Sequence, residues 1–75
     1  MTNNENISHG TPLAYREFIA EMLALAQIQA DLGTTYAAIG DDAGLEYTVR
    51  RLAAYTRTAV TVLKDLKGMK EANDA

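Results

Sequence analysis

Residues 12–39 read PLAYREFIAEMLALAQIQADLGTTYAAI, and the spacing of the apolar positions in this stretch decides the fold. Tyr15, Phe18, Met22, Leu25, Leu32, Tyr36 and Ile39 recur at alternating steps of three and four, with Gln29 filling the one polar slot. That is the period of a helix carrying an apolar stripe; a strand needs alternation at every second residue, which is absent. Pro12 suits the first helical position, where a missing N–H leaves no bond unmade, and Thr11 can cap the free amides behind it. Gly33 lies in the run without shifting its phase. The spacing predicts one helix over 12–39, weakened or bent at Gly33 by about 1 kcal/mol. The alternative is a break at Gly33 followed by a short helix.

The next five residues, Gly40-Asp41-Asp42-Ala43-Gly44, read as a turn. Gly40 suits a left-handed helix end, and Asp41 or Asp42 can cap the next helix and complement its positive N-terminal dipole. A second helix is expected over 44–70, with Leu45, Val49, Leu52, Ala59, Leu63 and Leu66 as its stripe and Thr56 as the polar member. Residues 73–75 are expected to fray, and residues 1–10, polar and aperiodic, to form a disordered tail before a helical domain over 11–72. Two helices of similar length joined by a short turn fold back antiparallel, giving an all-α hairpin. In that register Glu17 and Glu21 are expected near Lys64 and Lys67, and Asp31 near Arg50 and Arg51, each pair adding well under about 1 kcal/mol.

A chain of 75 residues is at most one domain, and a domain of this size buries only about 60% of the surface its unfolded chain exposes. Such domains make up the deficit with disulfides, a metal or self-association. There is no cysteine, and His9 is the only histidine, so association is the remaining remedy. Both helices support it with a second apolar stripe. The first helix has Ile19, Leu23, Ala26, Ala30, Gly33 and Ala37; the second has Tyr55, Val62 and Met69. A helix in a two-helix hairpin hides one seam, so Ile19, Leu23, Ala26, Ala30, Gly33, Tyr55 and Val62 are expected between chains, in a homodimer that forms a four-helix bundle. Gln29 and Thr56 lie near mid-helix, where buried polar residues can fix register; the other reading leaves both half-exposed and idle.

Catalysis finds little support. Ser8 and His9 are adjacent in the tail, which prevents the geometry of a nucleophile and its base. Glu17 and Glu21 lack the Glu-x-x-His partners of a di-metal bundle, and Asp41, Asp42 and Glu46 lack the spacing of a calcium loop. No enzyme activity, cofactor or metal is expected. The N-terminus has neither the basic nor the apolar region of a signal peptide, and the longest wholly apolar run, Met22 to Ala26, is far too short to span a membrane. A cytoplasmic location is the expectation. The net charge of −3 argues against DNA or bulk nucleic-acid binding.

Basic residues nevertheless collect on the second helix. Arg50, Arg57 and Lys64 are seven apart and share one face at about 10.5 Å intervals. Tyr47 lies one turn from Arg50 and Arg51, where a ring can stack on a guanidinium or a base. Tyr47, Arg50, Arg51, Arg57 and Lys64 are therefore the candidate binding residues for a phosphate-bearing ligand, an RNA backbone or an acidic protein. Alternatively this stripe only balances the acidic first helix.

The layout is similar to that of the small plasmid copy-number hairpins that dimerise into a four-helix bundle and bind RNA loops, although no residues match. The short length and the opening Arg50-Arg51-Leu52-Ala53 also resemble phage-encoded helical hairpins that sequester cyclic-nucleotide signals. The first expectation is a small regulatory or inhibitory protein acting on another protein, of the anti-defence accessory type that phages and mobile elements carry. The second is a nucleotide or RNA binder that uses the basic stripe.

Overall fold

A computed structural model describes residues 10–74, with side chains for 10–70. Most of the expected tail, Ser8 and His9 included, lies outside the described residues, as does Ala75. Helix α1 runs Pro12–Ile39 and helix α2 runs Asp42–Asp74; they pack against each other as a hairpin, and no strand occurs among the described residues.

Local chemistry accounts for both ends of α1 and the start of α2. Thr11 is extended, with φ −88° and ψ 151°, and its Oγ1 accepts from the Ala14 amide at 3.1 Å, with Pro12 directly behind the cap. At the other end Gly40 takes φ 77°, the Gly40 amide donates to Ala37 O at 3.3 Å, and the Asp41 amide donates to Tyr36 O at 2.9 Å. This paired closure satisfies two carbonyls that the helix end would otherwise leave open, and its left-handed residue favours glycine. Asp41 is shared between the two helices. Its Oδ1 accepts from the Gly44 amide at 3.0 Å and caps α2. The turn is therefore only Gly40 and Asp41, shorter than the five residues expected, because a single aspartate closes one helix and opens the next. Gly33 does not break α1.

The seam differs from the expected one on both helices. On α1 it follows Tyr15, Ile19, Met22, Ala26, Gln29, Gly33 and Tyr36, all buried or half-buried; Phe18, Leu32 and Ile39, expected inside, are exposed, and Leu25 is half-buried. On α2 it follows Leu45, Thr48, Leu52, Tyr55, Ala59, Val62, Leu66 and Met69, while Val49 and Leu63 are exposed and Thr56 is half-buried. The reason is steric. Tyr15, Met22, Gln29 and Tyr36 belong both to the expected stripe of α1 and to the observed seam, so periodicity fits either. Hydrophobicity favours the strip with Phe18 and Leu32, but close packing favours the one with Ala26 and Gly33, because small side chains let the two backbones approach. At the closest point a Cβ on Gly33 would stand 3.0 Å from Thr48 Oγ1, and one on Gly44 would stand 2.8 Å from the Tyr36 ring.

Thr48, 1% exposed, tolerates this position because its hydroxyl is within hydrogen-bonding distance of Gly44 O at 3.1 Å and Leu45 O at 2.9 Å. Thr56 bonds its own helix in the same way, to Leu52 O and Ala53 O, both at 3.0 Å. Gln29 Oε1 is buried without a hydrogen-bond partner. The expected pairs between helices are not formed. Among the described residues the one ion pair lies within α2, Arg50 to Glu46 at 2.8 Å. Register is set by packing at the turn rather than by charge.

Candidate functional site

The two helices form one layer, and both of its faces carry uncovered apolar side chains. On the front face the flanking row of α1 is Arg16, Leu23, Ala30 and Ala37, and that of α2 is Val49, Thr56, Leu63 and Lys70, each at heptad spacing beside the seam. Two shallow, almost wholly apolar depressions lie along it. One is lined by residues that include Leu23, Thr56, Val60 and Leu63. The other, nearer the turn, is lined by residues that include Ala30, Gly33, Ala37, Val49 and Leu52. Leu23, Val49, Val60 and Leu63 are each about half exposed.

On the rear face the α1 row is Phe18, Leu25, Leu32 and Ile39, beside an α2 row of Arg51, Thr58 and Asp65. A third depression, near the open end, has Ala14, Tyr15, Phe18, Val62 and Asp65 in its lining. None of the three is lined by Arg50, Arg57 or Lys64.

The five candidate binding residues fall into two groups. Arg50, Arg57 and Lys64 share the outer side of α2, away from α1, and all are exposed. Arg50 is already held by Glu46, through Nε as well as Nη2; an exposed i, i+4 pair of this kind contributes only about 0.3–0.5 kcal/mol. Arg51 turns toward the rear face instead. Its guanidinium lies 5.5 Å from the Tyr47 ring centroid and 5.3 Å from that of Tyr55, and its Nη2 donates to the Tyr55 hydroxyl. Cation–π contacts at exposed positions are worth about 0.5–1 kcal/mol each. Tyr55 completes this ladder. Its place in it is readable from spacing, since Tyr47, Arg51 and Tyr55 stand four apart. The structure thus brings Tyr47 and Arg51 together with Tyr55, and separates both from the outer basic row.

Of the residues expected between chains, Ala26 and Gly33 are buried in the hairpin's own seam, Ile19, Tyr55 and Val62 are half-buried along it, and Leu23 and Ala30 are exposed on the front face. Among the described residues no three His, Cys, Asp or Glu side chains gather as a group that could hold a metal ion, and no helix is long and apolar enough to cross a membrane. Comparison with protein-family models, curated proteins and solved structures gives no significant match. Function rests on the surface itself.

Proposed function

We propose that this chain is a non-catalytic binding protein that self-associates into a four-helix bundle and acts by presenting that bundle to another protein. The supporting observation is the poverty of its own core. Among the described residues only Ala26, Gly33, Thr48, Ala59 and Leu66 are buried, whereas ten large hydrophobic residues are exposed. Covering a half-exposed leucine or valine recovers roughly 1 kcal/mol, so a few such contacts amount to a sizeable part of the stability of so small a domain. Apolar area spread over both faces suits helix packing better than it suits a small ligand, which takes a concave pocket with convergent polar groups.

Sedimentation equilibrium at micromolar concentration tests the association. A dimer is the expected species, and a fully helical monomer overturns the reading. The Tyr47, Arg51 and Tyr55 ladder is what a nucleotide or RNA reading would rest on. A thermal-shift series with nucleotides, cyclic nucleotides and RNA separates the two, because a ligand at 100 times its Kd adds about 2.7 kcal/mol to the folded state. No shift is expected.

A further inference from the structure

We infer that the front face seats a second copy of this chain in reversed orientation, the turn of one copy over the open end of the other, with the two-fold axis passing close to Thr56; this rests on the self-association proposed above. Both helices supply apolar side chains to the front face, whereas on the rear α2 contributes Arg51, Thr58 and Asp65 to its flanking row. The front face also suits a reversed copy of itself in charge and in shape.

Of the charged residues beside the front face, the turn end has Asp42 and Glu46, the latter paired with Arg50, and the open end has Arg16, Lys67 and Lys70. Arg51 and Asp65 lie to the rear, and Glu17 and Arg50 on the outer sides. A copy laid on in the same direction would set like charges over one another at both ends, which is unfavourable. Reversal sets opposite charges together.

Shape follows the same symmetry. A two-fold through Thr56 places Val49 over Leu63 of the second copy, Glu46 near its Lys67 and Asp42 near its Lys70. On α1 the equivalent axis falls between Leu23 and Ala30, so the larger side chain of each copy meets the small one of the other. The two positions agree. Contact between Gly33 and Thr48 sets the levels of the helices, and the midpoint of the α1 row then falls about 2 Å along the axis from Thr56. The footprint is also sufficient. The 28 residues of α1 extend about 42 Å, and two helices side by side span roughly 20 Å. Their product is near the roughly 800 Å² per partner of a standard stable interface.

The natural chain has no cysteine, so a single introduced thiol reports its own neighbour. Thr56→Cys, under mild oxidation, should trap a disulfide-linked dimer with unchanged helicity by circular dichroism, while Ile28→Cys, on the rear side of α1, should stay reduced. Ala30→Arg, at an exposed position, should weaken self-association at least tenfold by sedimentation while leaving the chain helical. A dimer whose Thr56→Cys form stays reduced, or whose affinity survives Ala30→Arg, overturns this face and leaves the self-association reading standing. A helical monomer overturns both.

Discussion

Gly33 is buried in the seam, where a Cβ would stand 3.0 Å from Thr48 Oγ1, whereas Gly68, toward the open end, is exposed off the seam and the same Cβ would meet nothing within 4 Å. Both glycines sit inside helices, where glycine costs about 1 kcal/mol against alanine. At Gly33 that cost makes room for the Thr48 side chain. At the open end the seam is filled by larger side chains, Ile19, Met22, Val62, Leu66 and Met69, and Gly68 brings no close contact. The hairpin is thus held in two ways, by glycine backbone against facing side chains near the turn and by larger side chains at the open end.

The sharpest test of the open half is Leu66→Ala. Leu66 is 8% exposed, and deleting a buried leucine costs about 3 kcal/mol, enough to unfold much of such a domain. Leu32→Ala, at a residue 43% exposed, should cost about 1 kcal/mol or less. Equal losses in urea titrations followed by circular dichroism would mean that the seam lies where the hydrophobic heptad first suggests.

In the turn half Gly44→Ala should cost about 2 kcal/mol, as overpacking does. The added methyl meets Cγ and Cδ1 of the Tyr36 ring at 2.8 Å, close to where the side chain joins the backbone and has little freedom to move. Combining it with Tyr36→Leu should recover part of the loss. A fully additive double variant would show that the two residues do not touch.

The smallest effects are also the most direct comparison. Gly33→Ala should lower stability by about 1 kcal/mol despite the better helix propensity, because Thr48 is buried and its hydroxyl is anchored to Gly44 and Leu45. Gly68→Ala should raise stability by about 0.5–1 kcal/mol. Thermal melts of the two variants decide it; shifts of the same sign would mean that Gly33 is no more tightly enclosed than the exposed Gly68.

The helices, their order and the direction of the hairpin were legible in the chain, and so were Thr11 and Gly40 as cap residues. The seam was not. Tyr15, Met22, Gln29 and Tyr36 are common to the expected stripe and the observed seam, and choosing between the two needs the shape of the opposing helix. Arg50 and Arg51 were read together because they are adjacent, yet successive helical residues stand about 100° apart. One therefore meets Glu46 while the other stacks between Tyr47 and Tyr55.

By itself the sequence determined where α1 begins and ends, because capping and helical period depend on residues within a turn of one another; the start of α2, expected at Gly44, lies two residues earlier at Asp42. Only the tertiary structure decided how each helix is rotated in the hairpin. The two candidate strips of α1 differ by roughly 50° about its axis, half the step between successive residues. The contacts of Gly33 with Thr48 and of Tyr36 with Gly44, which join residues on opposite helices, settle that angle. They also settle which apolar side chains are left for a partner.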